Sequence, residues 1–193
     1  MQRTSITTVI LAGGKGARIG GDKGLQLLRG KALIDWVLDA VRSQSDEVLI
    51  NANANHEEYA ARGCRVIADQ ISGSAGPLAG LQAALCGARH DWVVCVPCDT
   101  PFLPEDLIAR LYAAFGISTE AAVAVTEGLR QPTIALYRKN ILPKLDAFLD
   151  SGARKVGDWL NTLQVSEVVF EDAAAFANIN SLDELSRANR AHQ

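Results

Sequence analysis

The chain has 193 residues, 48% hydrophobic and 21% charged, the balance of a soluble globular protein long enough to bury a sizeable core, most simply as one domain spanning 1–193. A formal net charge of −3 excludes a nucleic-acid binder held by bulk charge, so any phosphate binding must be local. No apolar run reaches the roughly 18–20 residues of a membrane span, so the expectation is a cytoplasmic protein with no membrane partner, its cysteines Cys64, Cys86, Cys95 and Cys98 reduced.

Thr7 to Ala12 reads as the first strand, a short apolar run that ends abruptly in a glycine-rich loop. The stretch from Val9 to Gly24 holds six glycines and the three cations Lys15, Arg18 and Lys23. Glycine lets backbone N–H groups turn toward a ligand and lets the ligand come close, so strand, glycines and spaced cations together suit a polyphosphate. The spacing matches neither GxGxxG nor a P-loop, since no Gly-Lys-Ser/Thr closes it. A flexible surface loop with solvated cations is the plainer alternative. Its position directly after the first strand disfavours that alternative, because ligands of α/β sheets gather at the carboxyl ends of strands.

Ala32 to Ser43 has apolar residues at helical spacing, and Glu47 to Ala52 is a second strand leading into the polar group Asn51, Asn53 and Asn55. A short helix around Glu57 to Ala61 precedes a strand from Arg65 to Ala68. Asp69 to Pro77 is a second glycine-rich loop, with Pro77 placed to open a helix from Leu78 to Gly87. Trp92 to Val96 is apolar throughout, as expected of a central strand covered on both faces, and it runs into Pro97-Cys98-Asp99-Thr100-Pro101.

Pro104 starts a helix to about Phe115. Ala121 to Thr126 and Thr133 to Tyr137 are strands joined through residues 127–130, and Ile141 to Asp150 is a helix. A polar break from Ser151 to Lys155 precedes a helix near Val156 to Leu163 and a strand from Val165 to Phe170. Phe176 to Ser181 leads to a helix from Leu182, where Ser181 and Glu184 have capping-box spacing. Strands alternating with helices predict an α/β fold with a mostly parallel central sheet flanked by helices.

Asp99 is the sharpest chemical candidate, a carboxylate that follows an apolar strand between two stiffening prolines. Facing a polyphosphate, it suits Mg²⁺, which takes one or two carboxylates plus substrate oxygens. The competing reading is an Asp that caps the turn from Thr100 to Pro104. Cys95-Val96-Pro97-Cys98 is formally a CxxC, but Cys95 falls inside the apolar strand, and Cys64 and Cys86 supply no second metal-ligand pair, so core packing is expected. His56, His90 and His192 belong to no nucleophile–base constellation, which leaves the substrates to bring the nucleophile.

The ordered motifs carry a resemblance. Leu11-Ala12-Gly13-Gly14, Arg18 and Gly20-Gly21-Asp22-Lys23-Gly24 resemble the signature loop of nucleotidyltransferases that activate phosphorylated metabolites. With Asn51-Ala52-Asn53, Gly76-Pro77-Leu78-Ala79-Gly80, Cys98-Asp99-Thr100-Pro101, Pro132-Thr133-Ile134-Ala135-Leu136 and Asn178-Ile179-Asn180-Ser181, the chain is similar to the molybdenum cofactor guanylyltransferases from about Thr7 to Asn189. Gly21 runs directly into Asp22-Lys23, where some relatives carry an extra residue.

The resemblance implies a Rossmann-like nucleotidyltransferase domain. It would join the GMP part of GTP to the terminal phosphate of molybdopterin, or of molybdenum-bound molybdopterin, and release pyrophosphate. Carried over by position, the GTP site comprises Leu11, Ala12, Gly13, Lys23, Asn51, Asp69 and Asp99. Asp99 holds Mg²⁺, and Asn178 and Asn180 lie on the pterin side. Asp99, Lys23 and Arg18 are the expected catalytic set, with Arg154 as a further acceptor contact. Molybdenum cofactor maturation proteins and apo-molybdoenzymes are the expected transient partners. The alternatives are another nucleotide or acceptor, such as CTP with the same pterin or a sugar phosphate, and a GTP-binding regulatory module without turnover.

Overall fold

The computed structural model describes residues 4–13, 21–71, 76–181 and 184–186. Lys15, Arg18, Leu182 and His192 therefore lie outside the described residues. The core is a seven-stranded sheet built from β1 (Ile6–Leu11), β4 (Glu47–Asn51), β5 (Arg65–Ile67), β6 (Trp92–Pro97), β7 (Ala121–Thr126), β8 (Leu129–Arg138) and β9 (Val165–Val169). Their spatial order is β5-β4-β1-β6-β8-β7-β9, so the apolar strand β6 is indeed central. β1 runs parallel to β4 and β6, β4 to β5, and β7 to β9, whereas β8 alone is antiparallel to its neighbours β6 and β7.

Strand alternation sends side chains to two cores, one on each face of the sheet. Val94 and Val96 of β6 join Ile34, Val37, Leu38 and Val41 of α1 (Leu33–Arg42) and Leu107, Ile108 and Leu111 of α4 (Leu107–Ala113). Val93 and Cys95 join the other core, with Leu78, Leu81 and Leu85 of α3 (Pro77–Gly87), Leu149 of α5 (Leu142–Asp150) and Trp159 of α6 (Val156–Leu160). Both faces of β6 are thus covered, which is why the strand reads as a continuous apolar run.

A small hairpin, β2 (Leu27–Leu28) and β3 (Lys31–Ala32), was not apparent in the sequence. It turns through Arg29 and Gly30, both at positive φ (54° and 76°). Its Leu28 packs with Leu33, Ile179 and Leu185, which pins the C-terminal segment against the hairpin and the start of α1.

Three boundaries differ from the sequence expectation by at least three residues. Helix α4 begins at Leu107 rather than Pro104, and Gln44 Oε1 accepts the N–H of Ile108, capping it from another element. β8 begins at Leu129 rather than Thr133, because Glu127 and Gly128 (φ 51° and 75°) suffice for a two-residue hairpin turn. Pro132 is tolerated there because β6 pairs with β8 only from Ala135 to Arg138. Helix α6 stops at Leu160 rather than Leu163.

Candidate active site

The register of the sheet brings the motifs together. Leu11 pairs with both Asn51 and Pro97, and Asn51 pairs with Ile67, so β1, β4, β5 and β6 end side by side. The backbone ladder continues one step further, through Ala12 N–H to Asn51 O (2.8 Å), Ala52 N–H to Ile67 O (2.9 Å) and Cys98 N–H to Leu11 O (3.1 Å). Gly13, Asn53, Asp69 and Asp99 therefore emerge along one edge.

On one side of that edge, Asn51 is buried and donates Nδ2 to Asp69 Oδ1 (2.9 Å) and to Ile67 O (3.4 Å). Asn53 answers with a reciprocal pair, its Nδ2 donating to Asp69 Oδ2 (2.8 Å) and its Oδ1 accepting from Asp69 N–H (2.9 Å). This second asparagine escaped the sequence assignment, although the Asn-Ala-Asn spacing already placed both on one face of an extended chain.

Two glycines let the backbone close on this group. A Cβ at Gly13 would lie 3.0 Å from Asn53 Nδ2, and one at Gly80 only 2.3 Å from Asn51 Oδ1 and 2.7 Å from Leu11 Cδ2. Gly80 stands in the first turns of α3, whose N-cap Gly76 has φ 71° and whose first residue is Pro77, as the sequence predicted. The N-terminal end of that helix therefore sits beside Asn51 and Leu11.

On the other side, Asp99 is 8% exposed. Its Oδ2 forms an ion pair with Lys23 Nζ, and its Oδ1 is buried with no hydrogen-bond partner among the described residues. Asp99 therefore faces Lys23 rather than capping the turn that follows it. Lys23 Nζ also donates to Asn180 Oδ1 (2.6 Å), and Thr100 Oγ1 donates to Asn178 Oδ1 (2.6 Å). Ile179 N–H completes the seam on Asp99 O (2.9 Å). Ile179 is buried while its neighbours Asn178 and Asn180 are exposed, so one apolar anchor presents two amides. The capping box holds the far end, with Glu184 N–H on Ser181 Oγ (3.1 Å) and Ser181 N–H on Glu184 Oε2 (3.2 Å).

Leu11, Ala12, Gly13, Asn51 and Asp69 thus cluster on one flank, and Lys23, Asp99, Asn178 and Asn180 on the other. The side chain of Arg154 bonds to neither flank among the described residues. Its Nη1 donates to Leu149 O (2.6 Å) and Ala153 O (2.7 Å), a cap on the C-terminal end of α5. Its backbone oxygen nevertheless lies 3.9 Å from where a Cβ of Gly76 would stand, beside the start of α3.

The two CxxC thiols go to opposite faces of the sheet, Cys95 to one core and Cys98 to the other. Burial pushes both thiols up in pKa, so they stay protonated and behave as small hydrophobes. Among the described residues no three or more His, Cys, Asp or Glu side chains gather into a metal cluster. A cation at Asp99 would take one carboxylate here and draw its remaining ligands from substrate, which is the habit of Mg²⁺.

A Rossmann-like sheet with an Asn–Asp pair and a Lys–Asp pair at its strand ends suits a nucleotidyltransferase, the class that the similar proteins name. Residues 8–165 match the MobA-like NTP transferase domain, and the chain belongs to that family. It is 45% identical to a molybdenum cofactor guanylyltransferase of Cupriavidus metallidurans, over 96% of this chain and 95% of that protein. It is 46% identical to one of Burkholderia vietnamiensis, over 96% of each. Its fold matches the crystal structure of molybdopterin-guanine dinucleotide biosynthesis protein A from Archaeoglobus fulgidus with a TM-score of 0.80, at 26% identity, over 95% of this chain and 96% of that one.

Proposed function

We propose that this chain transfers GMP from GTP to the terminal phosphate of molybdopterin, forming the guanine dinucleotide and releasing pyrophosphate. Family membership and the names of its relatives support the reaction. The observation that carries the assignment of parts is the position of Lys23 Nζ, shared between Asp99, assigned to the nucleotide and its metal, and Asn180, assigned to the pterin. GTP is assigned to Leu11, Ala12, Gly13, Lys23, Asn51, Asp69 and Asp99, and the pterin to Asn178, Asn180 and Arg154. Guanine is read by the backbone at Leu11 and by Asn51 and Asp69, which together offer both donors and acceptors.

In the step itself an oxygen of the acceptor phosphate attacks the α-phosphorus of GTP, and the bond to the β-phosphate oxygen breaks with its electrons on pyrophosphate. The attacking oxygen is already anionic, so no general base is required, which fits a site without a histidine or nucleophile pair. Repulsion between two anionic substrates is the obstacle, and the positive charges of Lys23 and Arg18 offset it. Asp99, whose Oδ1 has no partner among the described residues, would hold Mg²⁺, which would supply positive charge to the leaving pyrophosphate. The remaining contribution is in-line positioning of the two substrates.

The chain acts as one domain in the cytoplasm, receiving pterin from a maturation protein and passing the dinucleotide to apo-molybdoenzymes. Among the described residues no helix is long and apolar enough to cross a membrane.

Thermal unfolding with Mg²⁺ and each of GTP, ATP, CTP and UTP tests the nucleotide assignment. A ligand at a hundred times its Kd adds about 2.7 kcal/mol, a shift on the order of 5–10 °C for a chain of this size. GTP alone should give it, and pyrophosphate should then appear when molybdopterin is added. A shift with CTP instead would move the base assignment to a cytidylyl enzyme, and no pyrophosphate with molybdopterin would refute the acceptor.

A further inference from the structure

Lys23 stands on the short 3-10 turn Lys23–Leu25, a single turn that cannot by itself hold a long, flexible ammonium in one place. The turn is anchored by the residue before it. Asp22 is its N-cap, and Asp22 Oδ1 accepts the N–H of Gly24 (3.1 Å). The same oxygen accepts the hydroxyl of Tyr59, and Asp22 Oδ2 accepts Nδ2 of Asn55 (2.9 Å).

Both donors come from one element, the helix α2 (His56–Ala60) and its N-cap Asn55. Tyr59 is fully buried in the core shared by α1 and α4, yet it directs its one polar atom to a carboxylate on the loop that carries Lys23. Burial and Asp22 raise the phenol pKa, so the hydroxyl stays protonated and remains a donor. Asn55 sits at φ 52°, in the left-handed region, as the N-cap of α2. Gly24 completes the fit, because a Cβ there would stand 2.5 Å from the Tyr59 oxygen and push it off Asp22. Two donors from a packed helix and a glycine that admits them converge on one carboxylate, one residue from the ammonium.

We infer that Tyr59 and Asn55, acting through Asp22, are positioning residues for Lys23. They fix the turn so that its ammonium meets Asp99 and Asn180 together. The inference rests on the assignment of Lys23 to the reaction.

A double-mutant cycle tests it, read in kcat for pyrophosphate release and in the GTP dissociation constant, so that a slow variant still reports. Tyr59→Phe keeps the ring and should lower kcat about tenfold. Asn55→Gly removes the exposed amide while keeping a residue at ease with positive φ, and should lower kcat about threefold with an unchanged melting temperature. In a Lys23→Ala background neither change should have a further effect on either readout, since no ammonium is left to place.

Equal fold-losses in both backgrounds would mean a purely structural role and would overturn the inference. So would wild-type kcat in both Tyr59→Phe and Asn55→Gly while Lys23→Ala is impaired. Wild-type kcat in Lys23→Ala would instead refute the assignment of Lys23 itself, and this inference with it. Should Tyr59→Phe not fold, Asn55→Gly in the two backgrounds decides by the same criteria.

Discussion

Replacing Gly80 by alanine sets helix propensity against packing, and the two predict opposite signs. Gly80 lies inside α3, where alanine is ordinarily more favourable by about 1 kcal/mol. The added Cβ, however, would stand 2.3 Å from Asn51 Oδ1 and 2.7 Å from Leu11 Cδ2, closer than real Cβ contacts come. The Asn51 amide must swing away, and its 2.9 Å bond to Asp69 goes with it.

Overpacking of a buried site costs about 1–3 kcal/mol, and the lost hydrogen bond about 1 kcal/mol more. Against the helix gain, the net loss is about 1–3 kcal/mol, or roughly 3–10 °C in Tm for a chain of this length. Because Asn51 and Leu11 are assigned to GTP, affinity should fall at least about tenfold as well. Thermal unfolding of wild type and Gly80→Ala, each with and without GTP and Mg²⁺, measures both effects. A variant about 1 kcal/mol more stable than wild type, with its GTP shift intact, would refute the packing of α3 on Asn51 and the role given to that side chain.

Asp99→Asn should cut turnover at least about a hundredfold while the fold persists, through loss of charge at the metal position. Near-wild-type kcat would remove Asp99 from the reaction. Arg154→Ala should raise the KM for molybdopterin and leave the GTP-induced Tm shift unchanged. An unchanged KM would restrict Arg154 to its cap on α5. Acidification should act through Glu47: burial alone would raise its pKa, but the N–H of Arg89, the hydroxyl of Thr7 and the guanidinium of Arg65 outweigh it, and the net shift is downward. A group whose folded pKa is lowered contributes stability above its ordinary value of 4.5 and loses it as pH falls through the folded value. Below pH 4.5 the Tm of wild type should therefore fall more steeply than that of Glu47→Gln, and parallel curves would show that Glu47 carries none of the acid sensitivity.

Much of the fold was legible because local rules write it. Apolar runs at Ile6–Leu11, Glu47–Asn51 and Trp92–Pro97 break off at polar or glycine-rich residues, and that break marks the strand ends where ligands of a parallel sheet collect. Pro77 opening α3 and the Ser181–Glu184 box followed from backbone requirements that hold within a few residues. The same locality explains why Asp99, at the end of an apolar strand, stands out in the sequence.

Pairings across long stretches of chain were decided by packing alone. Asp22 meets a tyrosine 37 residues on, and Lys23 meets an asparagine 157 residues on. Neither pair has a periodicity or spacing that marks it, because each forms only when the core sets the distance between elements. The reversal of β8 was local by contrast, a two-residue turn at Glu127–Gly128 inside what read as a longer connection. Composition and pattern determined the class of fold, its strand ends and the candidate carboxylate Asp99. The tertiary structure decided which side chains surround that carboxylate, because burial and loop closure, rather than local propensity, select contacts between distant residues.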